Sequence, residues 1–439
     1  MTQRVSRDEL AALRREAARR RARVTVEEPP EPIEAAPRLD PHWQVAPDVR
    51  AVALDEALVD PDAAKVVRRL VRHGHEAYLV GGCVRDLLLG RRPKDFDVAT
   101  SARPDDVRTL FRNSRVIGRR FRLVHVLFGS GKVIETATFR CAPPMEEAPS
   151  VEDLLIRNDN AFGDAHEDAQ RRDFTINGLF YDLEGHRVLD WVGGVPDIER
   201  RMVATIGDPI VRFQEDPVRM LRAIKFCARL DLGMSPVVYD AIVRCRGALA
   251  MAARPRLFEE LLRLLREGAA HRSMWLAWET GLLDVLLPEV AAYLSDDEAA
   301  ASVVWRLLTA LDRRAATTGP LDDTVVLTAL LLEPLREACG GHRDRIQAAG
   351  DFLEPIVERL NVPRRIADVA RRISAILPRL EAGRSARLSR SMAYDLAVVV
   401  KELRDEACAE PTVFSAGPAA GARGGRRRPR RTTPSLAAG

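Results

Sequence analysis

The chain has 439 residues, 46% of them hydrophobic, enough to bury a large core and, by length, to form two or three domains. Its 68 lysines and arginines against 64 acids leave a formal net charge of +4, so the placement of charge matters more than its sum. No run of about 18 or more uncharged apolar residues occurs, and no apolar leader precedes a small-residue cleavage site, which argues against membrane-spanning and secreted classes and for a cytoplasmic protein. Six cysteines without a CxxC pair signal neither a zinc knuckle nor a disulfide framework.

Residues 1–50 carry an arginine cluster (Arg14, Arg15, Arg19, Arg20, Arg21, Arg23) and then the Pro-rich acidic stretch EEPPEPIEAAPRLD. Such a segment cannot bury a core face and is predicted to be a disordered arm. A head is expected over 51–208. There the amphipathic pattern from Asp60 to Gly74 (Val66, Leu70, Val71) reads as a helix, AYLV as a strand, VRDLLLG as a helix ending at Gly90, and KDFDVAT as a further strand. A helix opened by Ser101-Ala102-Arg103-Pro104 follows, then strands at SRVIG, LVHVLFG and KVIETATFR. Strands mixed with helices predict an α+β head with a mixed, mostly antiparallel sheet. Beyond it helical periodicity takes over: a neck at 209–270, which includes PRLFEELLRLLREG, and a helical body at 271–410. The last segment, 411–439, has six arginines (Arg423, Arg426, Arg427, Arg428, Arg430, Arg431) and almost no apolar bulk, and is predicted to be a disordered, RNA-binding tail.

Four clusters carry chemistry. Gly81-Gly82, between a strand and the helix holding Arg85 and Asp86, lets backbone amides approach an anion, although a glycine pair alone is more often a plain turn. Asp95 and Asp97 are two apart on a predicted strand, so both carboxylates face one side while Phe96 turns to the core. Paired carboxylates suit a divalent cation and in-line phosphoryl transfer. Glu135 lies in an otherwise apolar strand, where a buried unpaired carboxylate is costly; that cost favours a ligand role, with a water-facing edge glutamate as the alternative. Arg171-Arg172-Asp173, with Asn177 beyond, offers guanidinium groups to phosphate and polar groups to ribose hydroxyls, or else a salt-bridged helix start. Asp216 and Arg219, three apart at a helix opened by Pro217, present an acceptor and a donor to a base edge, or else an ordinary ion pair.

In order, YLVGGCVRDLLLG, KDFDVAT, VIETATFR, RRDFTINGLFYD, DWVGGVPDIERR and EDPVRMLRAIKF resemble the successive motifs of the class II tRNA nucleotidyltransferase and poly(A) polymerase superfamily, over about residues 77 to 270. The resemblance implies a nucleotidyltransferase head, a neck with base-recognition and RNA-binding helices, and helical body and tail regions. It implies Asp95, Asp97 and Glu135 as catalytic carboxylates, with Asp95 and Asp97 holding Mg²⁺ (Mn²⁺ as the alternative). It places Gly81, Gly82, Arg85 and Asp86 near the triphosphate, Arg171, Arg172, Asp173 and Asn177 near ribose and phosphate, and Asp216 with Arg219 at the nucleobase. Asp190 to Asp197 resembles the flexible loop that helps position nucleotide. Val116 to His125 is similar to the segment that marks the bacterial poly(A) polymerase branch, the Arg-rich end fits that branch, and no His-Asp dipeptide provides for a metal-dependent phosphohydrolase domain. The expectation is therefore a monomeric, template-independent adenylyltransferase using ATP on single-stranded RNA 3′ ends, with RNA-decay or RNA-chaperone proteins as the partner class. The alternatives are a CCA-adding tRNA nucleotidyltransferase and a non-catalytic RNA-binding protein on the same scaffold.

Overall fold

A computed structural model describes residues 46–51, 54–118, 122–141, 161–384 and 391–409. The predicted arm up to residue 45, Arg119–Phe121 and the Arg-rich tail fall outside the described residues. The arm was expected to run to residue 50, but Asp48–Arg50 forms a short strand, β1, paired antiparallel to Arg187–Asp190.

Seven more strands complete the sheet: β2 (Ala77–Val80), β3 (Asp97–Thr100), β4 (Ser114–Ile117), β5 (Leu123–Leu127), β6 (Val133–Thr138), β7 (Leu179–Asp182) and β8 (Arg187–Asp190). Their order is β1-β8-β7-β2-β3-β6-β5-β4, and every pairing is antiparallel except β3 with β6. The α+β head expected from the sequence is present. Its first helix, α1 (Pro61–Arg72), begins at Asp60, whose carboxylate accepts hydrogen bonds from the Asp62 and Ala63 amides at 2.9 and 3.1 Å. The next two are α2 (Gly82–Leu88) and α3 (Pro104–Leu110). Val66, Val67 and Leu70 of α1 and Val107 of α3 share one buried cluster with Val98, Val124, Val126 and Ile134, so these two helices cover one face of the sheet. On the other face, around Val80, Ala99, Phe139 and Phe180, a smaller cluster is closed by Ala165 and Ala169 of α4 (Ala165–Gln170).

The chain then turns through α5 (Gly194–Glu199) into the neck helices α6 (Pro209–Glu215), α7 (Val218–Leu230), α8 (Pro236–Cys245) and α9 (Arg254–Arg266). Arg254–Arg266 places Leu257, Leu261, Leu264 and Leu265 on its buried side, as the periodicity predicts. Eight further helices between Ala270 and Ala409 form the body among the described residues. One continuous apolar cluster joins the helix-covered face of the head, the neck and the body. None of the described helices is long and apolar enough to cross a membrane.

Candidate active site

The sheet sets the site, because β3 and β6 run parallel with Asp97 directly opposite Glu135. Directly opposed residues share a face, so the two carboxylates stand side by side on the face that α1 and α3 leave open. Both side chains are exposed, while Phe96 is 7% exposed and packs into the core. Strand β3 starts at Asp97, so Asp95 precedes the strand instead of lying within it; the alternation across Phe96 nevertheless leaves Asp95 on the open side. Glu135 corrects one expectation. It is not buried, and its carboxylate lies 3.4 Å from His125 Nε2, so the cost of burial cannot be the reason it is there.

The Asp97 carboxyl is pushed up to about 6. Crowding by surrounding protein is the main cause, the charges of Glu135 and Asp95 add to it, and the Arg172 guanidinium opposes it. Among the described residues no three acidic, histidine or cysteine side chains are already gathered into a cation cage. Asp95, Asp97 and Glu135 thus bring carboxylate oxygens to one face without closing around a point. Hard oxygen donors of this kind suit Mg²⁺ or Mn²⁺ better than thiol or imidazole metals.

The Gly81-Gly82 turn sits at the end of β2. Gly81 has φ +71°, and a Cβ there would meet Arg172 Nη1 at 3.0 Å, so a guanidinium lies against the turn. Arg172 is held by Asp168 at 2.9 Å and lies over the Phe180 ring. Arg85 and Asp86 are not at the surface of the site. They form a buried pair at 2.6 Å, and Arg85 donates to Asn177 Oδ1 at 2.6 Å. The Arg171 carbonyl accepts from Arg212 at 2.9 Å, which ties this segment to the neck.

Asp173 is an acceptor for three donors: the Phe174 amide, Asn177 Nδ2 and Arg222. Burial pushes its carboxyl up, but Arg222 and the other donors outweigh that and hold it below the usual range. Asp216 is not on a shared helix face with Arg219. It closes α6, its Oδ1 meets the Val218 amide at the start of α7, and its Oδ2 pairs with Arg256 at 2.8 Å. Arg219 donates to Glu215 at 2.7 Å and to the Arg212 carbonyl at 3.0 Å. Asp173, Asp216, Arg219, Arg222 and Arg256 nonetheless line one cavity of about 490 Å³ between α7 and α9. Sequence reasoning missed Arg222 and Arg256. Arg222 was within reach of it, three residues beyond Arg219 on α7, whereas Arg256 belongs to a separate helix.

The stretch Asp190 to Asp197, expected to be a flexible loop, is a hydrogen-bonded turn that leads into α5. Asp190, 3% exposed, accepts from the Val192, Gly193 and Gly194 amides through Oδ1 and from the Val195 amide through Oδ2. Asp197 accepts from the Thr175 hydroxyl at 2.7 Å.

The model of the poly A polymerase head domain matches residues 77–204, and that of the probable RNA and SrmB-binding site of polymerase A matches 231–294. Poly(A) polymerase I of Salmonella typhimurium is 38% identical over 349 residues, 76% of this chain and 75% of its own. A CCA-adding enzyme of Geobacillus is also 38% identical, over 254 residues, 57% of this chain and 60% of its own. Among solved structures, the Bacillus stearothermophilus CCA-adding enzyme in complex with CTP superposes with a TM-score of 0.58 at 29% identity, covering 79% of this chain and 82% of that one.

Proposed function

The chain belongs to the tRNA nucleotidyltransferase and poly(A) polymerase family of RNA nucleotidyltransferases, and from that premise we propose that it adds AMP units from ATP to RNA 3′ ends without a template. The observation that carries this choice is the extent of likeness. At the same 38% identity, the match to a poly(A) polymerase runs over 349 residues and that to a CCA-adding enzyme over 254.

In this reading the RNA 3′ oxygen bonds to the α-phosphorus of ATP as the bond to the β-phosphate oxygen breaks and pyrophosphate leaves. Asp95, Asp97 and Glu135 would hold Mg²⁺, or Mn²⁺ in its place. When bound, that cation neutralises charge on the phosphates and on the two oxygens of an in-line displacement. The Gly81-Gly82 turn and Arg172, with Arg171 beside it, receive the triphosphate. Arg85, Asp86 and Asn177 act beneath the site, because their polar groups satisfy one another and fix the Asp173 segment. Asp173 orients Arg222 toward the cavity, where the ribose hydroxyls would lie. Asp216 keeps lone pairs for an exocyclic amine, and Arg219 keeps guanidinium hydrogens for a ring nitrogen.

The test is incubation of the full chain with a generic RNA and each nucleoside triphosphate singly. ATP should give a ladder of products and CTP little. Arg219→Ala should blur that preference by about 1 to 3 kcal/mol, the worth of a two-point edge contact. A product ending in C-C-A, made only on tRNA, would assign the chain to the CCA-adding branch instead. No incorporation of any nucleotide would favour a binding protein.

A further inference from the structure

Strands β4 and β5 take no part in the chemistry described above, yet the sheet places them in line with the catalytic carboxylates. Asp97 is opposite Glu135, Glu135 is opposite His125, and His125 is opposite Arg115. Opposed residues share a face, so Asp97, Glu135, His125 and Arg115 form one row across β3, β6, β5 and β4. Strands lie about 4.8 Å apart, so the row runs about 14 Å from the acids to the outer strand of the sheet. Arg115 stands exposed at its far end, with no acidic partner among the described residues. Ile117 and Val133, each 37% exposed, project from the same open face on either side of the row, with the half-buried Leu123 and Leu127 between them. A cation among apolar side chains, in line with acids that bind a phosphorylated substrate, complements a strand of phosphates, riboses and bases.

We propose that this row is the track for the 3′-terminal segment of the RNA primer, with Arg115 gripping a backbone phosphate upstream of the hydroxyl that reacts beside Asp97. The track rests on the polyadenylation reading for the identity of its strand. It is a backbone contact that reads no base, as repeated addition to a lengthening end demands.

The test measures binding of a labelled oligoadenylate to the full chain, without nucleotide or divalent cation, across a salt series. Losing one phosphate contact on a single strand should lower the salt slope of log affinity by about 0.7, and affinity at about 0.1 M salt by roughly fivefold. Arg115→Ala should show both changes, and Arg115→Lys should restore the slope. Arg108→Ala removes the same charge from α3, on the covered side of the sheet, and should leave the slope at the wild-type value. In turnover, Arg115→Ala should raise KM for primer and leave KM for ATP unchanged. An unchanged slope in Arg115→Ala, or an equal drop in Arg108→Ala, overturns the track. If the wild-type product proves to be C-C-A, the polyadenylation reading falls, while the Arg115 slope still decides whether this face holds RNA.

Discussion

Asp97 has a carboxyl at about 6 against an ordinary 3.8, and this makes the site a cost to the fold. Well below pH 3.8 the group is protonated in folded and unfolded chain alike, so nothing is lost. As pH rises through the window from 3.8 to about 6, the unfolded chain gives up its proton first, and stability falls until both forms are ionised. Asp97→Asn removes that loss. Without divalent cation the variant should melt higher than the wild-type chain at pH 8 and with it at pH 3.5, while losing transfer activity at every pH. Equal melting temperatures at pH 8 would mean that neither burial nor the neighbouring acids raise the Asp97 carboxyl. Gly81 is the second position where one residue decides. Any side chain must accept φ +71° with ψ −124°, a conformation that favours glycine, at about 1 to 3 kcal/mol, and must also crowd Arg172. Gly81→Ala should therefore lower thermal stability by about that amount and raise KM for ATP. A variant with unchanged KM would show that Arg172 does not meet the triphosphate.

Among the elements, the turn from β8 into α5 depends on one carboxylate. Asp190→Ala leaves the buried Gly194 and Val195 amides, and the less buried Val192 and Gly193 amides, without that acceptor, a loss of about 3 to 5 kcal/mol. Asp190→Asn keeps the oxygen that accepts three of them and should lose clearly less, which chemical denaturation of the two variants can measure. This turn also shows what the sequence could not convey. Periodicity and caps are local, so the start of α1 at Asp60 and the strands at 123–127 and 133–138 were legible. The spacing of Asp95 and Asp97 suggested one strand face, whereas Asp95 precedes β3 and only Asp97 lies in the strand. Partners distant in the chain were not legible: Arg256 on Asp216, Arg222 on Asp173, Lys225 on Glu260. Glu135 was chosen for a burial it does not have, since nothing in VIETAT states which side of β6 stays open. Its position opposite Asp97 follows from the register of two strands, which the chain between them determines.

For the whole molecule, arginines gather near both ends of the sequence, at residues 14–23 and 423–431. The Arg-rich end lies outside the described residues, and its role remains an expectation drawn from composition. If three or four of its arginines meet phosphate, deleting 411–439 should lower the salt slope for RNA by about 2 to 3 and shorten tails. Melting temperature and KM for ATP should stay as they are. Identical slopes for the full and shortened chains would show that this end does not touch RNA.

The one parallel pairing in the sheet also has a consequence in time. Asp97 and Glu135 are brought together across a connection that contains α3, β4 and β5, and closing a non-local parallel contact belongs to the slow class of folding steps. A head in which β3 and β6 have not paired keeps Asp95 and Asp97 as chain neighbours and lacks Glu135 beside them. Transfer activity is therefore expected to appear with the closed sheet, later than the first helices.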